Sequence, residues 1–165
     1  MKGLPTLYKP LQLEDGTILS PSSIESENDG LRVHLEVSND GAATWKNTGY
    51  LNEITDLLIQ PTLLAFSQSK IQMLTRNCKK NPVDRRIMQS WSMDGGQTWG
   101  SFTPSGLPNP NSGIDAVNLK DGRALLVYND STQDRSTLSV AISYDQGLNW
   151  KKFFDLENEP GKEFS

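Results

Sequence analysis

The sequence predicts an all-β fold, a β-propeller segment of three four-stranded antiparallel blades. Three observations carry this reading. An eight-residue box recurs at residues 38–45, 92–99 and 143–150. Ser38, Asp40 and Trp45 of the first copy are matched by Ser92, Asp94 and Trp99, then by Ser143, Asp145 and Trp150. The boxes start 54 and 51 residues apart, close to the roughly 40–50 residues that a propeller spends on one blade. Between them run short alternating apolar stretches closed by Gly, Asn, Asp and Pro turns, the pattern of strands rather than helices. A β-sandwich could hold three hairpins, but it needs no periodic box.

Composition sets the outer bounds. The 165 residues make one domain, 35% hydrophobic with 13 Gly, 9 Pro and 4 Trp, as suits a turn-rich β protein. The formal net charge is −4 and the pI about 5.0. That balance argues against nucleic acid or an anionic membrane as partner, since both call for a basic face. Cys78 is the only cysteine, so no disulfide framework exists, and one Cys with one His cannot build a Cys/His zinc site. No metal and no cofactor is expected. No stretch is long and apolar enough to span a bilayer. Met1-Lys2-Gly3-Leu4-Pro5 lacks the charged-then-apolar run of a secretory leader, which leaves the cytoplasm as the default compartment.

The first repeat covers about residues 5–54. Residues 9–14 read as its first strand, with Pro10 near the start, where a missing N–H matters least. Asp15-Gly16 turns the chain. Residues 17–24 return, and Leu31, Val33, Leu35 and Val37 alternate with Arg32, His34 and Glu36 in a half-buried third strand. His34 falls on the polar side and reads as solvated. A fourth strand follows from Trp45. The second repeat, about 55–106, has strands at 61–66, 71–76 and 86–91, and Gln60-Pro61 takes the place of Lys9-Pro10, 51 residues later. Cys78 lies in a polar loop beside Lys79 and Lys80, cations that lower a thiol pKa. With no base nearby it reads as incidental. The third repeat, about 107–160, opens on an Asn-, Pro- and Ser-rich loop at 107–115. Its strands follow at 116–119, 124–128, 137–142 and 150–156, with Asp121-Gly122 as the first turn.

In the middle box, Asp94, Gly95 and Gly96 form a tight turn: glycine tolerates positive φ, and the Asp carboxylate accepts from backbone N–H groups just ahead. Trp99 then anchors the loop by packing rather than by stacking on a sugar. The pattern Ser-x-Asp-x-Gly-x-Thr-Trp resembles the Asp-box of sialidases and of the broader BNR-repeat families. The middle copy matches in full; the first has Ala42 where Gly96 and Gly147 stand in the others, and the third has Asn149 in place of Thr. The run from Asn109 through Asn129 is similar to bacterial sialidase-like BNR proteins, many of which act on sugars other than sialic acid or have no known substrate.

The resemblance implies six blades, so this chain would be a half-propeller. Its two open faces would be covered either by the rest of a longer protein or by a second copy, a homodimer completing a six-bladed ring. The partner implied is a carbohydrate. In a meander, the boxes and the Asp-Gly turns share one rim, and ligands of such folds gather over the axis at the other. That second rim collects Lys9, Gln60, Asn111, Ser112 and Asp115 from first strands. Glu25, Arg76 and Asn129 come from second-strand ends, Arg86 and Arg135 from third-strand starts. Arginines there suit a carboxylate ligand, with Arg76 the best-placed member of a cluster. Glu25 and Asp115 are the catalytic candidates, as general acid or base. Arg76 and Arg86 also read as solvated strand ends, and Asp115 as a turn cap. Family sialidases use a Tyr–Glu nucleophile pair; Tyr8, Tyr50, Tyr128 and Tyr144 match no such motif. Two function classes stay open: a sialidase-like glycoside hydrolase acting on an acidic sugar, and a non-catalytic propeller binding glycan or protein.

Overall fold

The computed structural model describes residues 8–165, so residues 5–7 at the start of the first predicted repeat lie outside it. The chain forms three four-stranded antiparallel sheets, each a meander with strands in sequence order. The first holds β1 (Leu11–Gln12), β2 (Ile18–Ser26), β3 (Gly30–Ser38) and β4 (Lys46–Tyr50). The second holds β5 (Leu58–Ala65), β6 (Ile71–Asn77), β7 (Arg86–Ser92) and β8 (Thr103–Pro108). The third holds β9 (Asp115–Asn118), β10 (Ala124–Asn129), β11 (Thr137–Ser143) and β12 (Lys151–Asn158). Among the described residues the only helical element is a 3-10 turn at Pro82–Asp84. No described helix is long and apolar enough to cross a membrane.

Strand register corrects one alignment. The first hairpins close through Leu13 N to Thr17 O, Phe66 N to Lys70 O and Leu119 N to Arg123 O, a constant step of 53 residues. Lys9 therefore corresponds to Thr62 and Asp115, not to Gln60. The proline landmark misleads because the β5–β6 register shifts between Ile59 and Thr62, and Gln60 sits in that bulge with φ 53°.

Apolar alternation becomes two cores, one at each junction. Leu19, Val33 and Leu35 of the first sheet meet Leu58, Leu63, Ile71 and Met73 of the second. Leu64, Leu74 and Ile87 on the other side of the second sheet meet Ala116, Ala124, Leu126 and Tyr128 of the third. Each buried Leu or Ile contributes on the order of 1.5–3 kcal/mol. Beyond the third sheet nothing described covers Val117, which is 47% exposed.

The boxes join third to fourth strands, as expected. Ser92 Oγ donates to Asp94 Oδ1 at 2.8 Å and accepts from Gly96 N at 2.8 Å; Thr98 N donates to Asp94 Oδ1 at 2.9 Å, and Thr98 Oγ1 donates to Oδ2. In the third box Asn149 reproduces the threonine, its Nδ2 donating to Asp145 Oδ2 at 2.8 Å. The second and third boxes also lean on the preceding sheet. A Cβ on Gly96 would stand 2.8 Å from Leu19 Cδ1, and one on Gly147 would stand 2.1 Å from Gln72 Oε1. Ala42 is exposed, so the first box has no such neighbour among the described residues. Trp99 and Trp150 pack onto the two cores. Trp45 does not: it is 44% exposed, because no described sheet precedes the first.

The hydroxyls of Thr44 and Thr98, with the following N–H groups, hold Asp40 and Asp94 down to about 2. Asp145 is lowered by Asn149. A depressed carboxylate contributes stability that is present above its unfolded pKa, near 4, and lost as pH falls through its folded pKa. The melting temperature is expected to drop between about pH 4 and pH 2. Asp94→Asn should lower it at pH 7 and flatten the drop; a profile unchanged by that substitution would contradict the assignment.

Two side chains depart from the sequence reading. His34 is 5% exposed rather than solvated. It stands cross-strand from Tyr50 of β4, and burial pulls its pKa down. The Cys78 thiol is raised, not lowered: burial outweighs the nearby Arg76 guanidinium, and the lysines beside it in sequence do not reverse that.

Candidate functional site

The rim away from the boxes is built on strained backbone. Leu57, Gln60 and Asn111 all have positive φ, at 56°, 53° and 66°. Asn tolerates this region; Leu and Gln hold it only where surroundings enforce it, at a cost of about 1–3 kcal/mol each. The bulge aims the Gln60 side chain at Arg76, whose Nη1 donates to Gln60 Oε1 at 2.9 Å. Arg76 Nε donates to Asn111 Oδ1 at 2.7 Å. Buried Asn109 shapes the loop that delivers Asn111: its Oδ1 accepts from Asn111 N at 2.9 Å and from Ser112 N at 3.1 Å. Arg135 Nη2 donates to Asn111 O at 2.9 Å from the third sheet. Ser112 itself is buried, with its hydroxyl unpartnered. Two neutral amides thus orient the guanidinium without neutralising it. The guanidinium also reaches the Cys78 thiol, and among the described residues no carboxylate pairs with it.

One step along β5, the three inner strands meet. Lys9 Nζ lies 3.1 and 3.2 Å from the two oxygens of Asp115, and Thr62 Oγ1 donates to Asp115 Oδ1 at 2.9 Å. Lys9 also donates to Ala116 O at 2.7 Å. These are the corresponding residues of the three repeats, and the Asp115 side chain remains 64% exposed. Thr62 had no signal of its own in the sequence; only the 53-residue step would have found it.

The remaining candidates scatter in role. Glu25 is exposed at the end of β2, near Cys78. Arg86 donates to Arg85 O at 3.0 Å. Asn129 is fully buried and clamps backbone, its Nδ2 donating to the carbonyls of Arg135, Thr137 and Phe164 at 3.3, 3.1 and 2.9 Å. Arg85, which the sequence did not single out, ties three carbonyls together: those of Lys79, Lys80 and Thr132.

Residues 4–165 match the model of the BNR repeat-like domain. The chain belongs to that family. No curated protein matches it. Among solved structures, a protein of unknown function from Dyadobacter fermentans is similar at TM-score 0.72 and 16% identity, over 89% of this chain and 40% of that one. The intramolecular trans-sialidase of Ruminococcus gnavus, in complex with oseltamivir carboxylate, gives 0.67 and 16% over 90% and 33%. The exo-β-1,3-galactanase of Phanerochaete chrysosporium, with β-1,3-galactotriose, gives 0.71 and 13% over 94% and 40%. This BNR chain therefore shares a sialidase-like fold found also in other glycoside hydrolases, and it spans two fifths or less of the length of these three.

Proposed function

We propose that this BNR chain supplies three blades of a six-bladed sialidase-type propeller, about residues 5–54, 55–106 and 107–160, whose box-free rim binds an acidic sugar for hydrolysis. The observation that carries the reading is the Arg76 guanidinium, held by the Gln60 and Asn111 amide oxygens beside the Cys78 thiol, with no carboxylate paired to it among the described residues. Such a group takes a sugar carboxylate through charge-assisted bonds. Gln60, Asn111, Lys9 and Arg86 frame the substrate, with Asn129 supporting the loops behind it. Asp115 is the general acid or base, and Glu25 is the second carboxylate. That other proteins of this fold were solved with oseltamivir carboxylate and with β-1,3-galactotriose supports a carbohydrate ligand. Assay of aryl sialosides, galactosides and arabinosides tests this. Turnover of the sialoside is expected, falling at least about a hundredfold in Asp115→Asn; turnover equal in that variant would remove Asp115 from the chemistry.

A non-catalytic reading has one observation in its favour. Tyr128 is fully buried, and burial with Asp130 pushes its phenol pKa up, so it is no exposed nucleophile. Sugar binding without turnover would decide for this alternative.

The second proposal concerns assembly. Val117, Leu125 and Val127 line the open face of the third sheet, cross-strand from Val140 and Ile142. Burying that face against the first sheet of a second copy would close a ring with two equivalent junctions. Sedimentation of the 18.3 kDa chain should give twice its mass. A well-folded monomer at micromolar concentration would rule out the closed pair.

A further inference from the structure

The two junctions carry corresponding residues that fill space very differently. The register sets Leu13, Thr17, Leu19 and Val37 at the first junction against Phe66, Lys70, Gln72 and Trp91 at the second. At the second junction this space is full. The Phe66 and Trp91 rings lie 6.1 Å apart, and the Lys70 ammonium stands 5.7 and 5.2 Å from their centroids. Lys70 then donates to Gln146 Oε1 at 2.9 Å, and Gln72 Nε2 to Gly147 O at 2.9 Å, so the third box is stapled down. At the first junction the shorter side chains leave a groove of about 900 Å³ on the box rim, opposite the Arg76 site.

We propose that this groove is a second binding site, for a neutral sugar. Its volume falls within the range of small-molecule sites. Val37 supplies an apolar wall for the C–H face of a pyranose, with only the edges of the buried Leu13 and Leu19 beneath it. Around it stand groups with hydrogen-bonding capacity to spare. Asn39 Oδ1 and Asn47 Oδ1 are engaged by Thr17 and Gly49, while among the described residues their Nδ2 groups, Lys46 Nζ and Gln97 Oε1 have no partner. This is a set of donors and an acceptor at the rim of an apolar patch, as hydroxyl recognition requires. The charges decide the class of sugar. Asp15 and Asp94 both line the groove and both have lowered pKa values, so two carboxylates oppose the one ammonium of Lys46. An acidic sugar is repelled there; a neutral one is not. The site does not rest on the Arg76 reading, and either can fail alone.

Ligand-observed saturation-transfer NMR on the full chain tests it, with methyl β-galactoside, methyl α-arabinofuranoside and lactose as probes. Transfer to at least one is expected at millimolar concentration, with N-acetylneuraminic acid failing to displace it. Lys46→Ala with Asn47→Ala strips the wall and should weaken binding at least about tenfold. Leu13→Phe with Val37→Trp copies the second junction into the first and should abolish it, with circular dichroism unchanged. Arg76→Ala should leave it as it was. No transfer at tens of millimolar, or undiminished binding to the wall variant, overturns the proposal, and the wall variant decides even where the filled variant fails to fold.

Discussion

Arg76→Ala is expected to weaken binding of an acidic sugar such as N-acetylneuraminic acid by about a hundredfold or more. A hydrogen bond to a charged group contributes roughly 1.5–3 kcal/mol, and 1.4 kcal/mol is a factor of ten, so a two-pronged contact reaches that size. Arg76→Lys should recover little. Lysine is a point charge and cannot be held in one plane by the Gln60 and Asn111 oxygens, as the guanidinium is at 2.9 and 2.7 Å. Gln60→Ala should cost less than the arginine substitution, because it loosens the guanidinium without removing it. Isothermal titration calorimetry checks all three, with circular dichroism to confirm folding. Wild-type affinity in Arg76→Ala would sink the site.

That arginine was legible in the sequence, but the way it is held was not. A triple box and alternating residues suffice to predict three four-stranded meanders, because box spacing and period-two burial are local and survive any tertiary detail. The rim opposite the boxes depends on what lies between repeats. The Gln60 bulge shifted one inner strand, and with it the correspondence that brings Lys9, Thr62 and Asp115 together. A bulge has no compositional mark beyond the proline that suggested the wrong alignment. His34 makes the same point for burial: alternation gives the face of a side chain, not how far the side chains around it bury it. Asn129 was placed at the end of β10 correctly, yet it turned inward to satisfy three carbonyls. Strand order says where such a residue sits, and backbone hydrogen-bonding demand says what it does.

Leu74→Ala should destabilise the chain by about 2–5 kcal/mol, the range for emptying a closed leucine site. Leu74 is fully buried between the second and third sheets, packed with Ile87, Leu107 and Leu126. On the 53-residue step its counterpart in the third sheet is Val127, which is only half-buried on the open face. Val127→Ala should therefore cost about 1 kcal/mol or less in a separated chain, since little apolar area leaves water there. Urea unfolding of the two variants measures the contrast directly, and a Leu74→Ala protein within about 1 kcal/mol of the parent would mean the second junction is not closely packed. The same pair of positions separates folding from assembly. A charge at Val127, as in Val127→Asp, should convert a closed two-chain ring to monomer without unfolding either chain, because it desolvates only when a partner covers it. Leu74→Ala weakens each chain internally and leaves the association surface intact. Sedimentation of the two proteins at matched concentration distinguishes these outcomes, since only one of the substitutions lies on the surface that a second copy would bury.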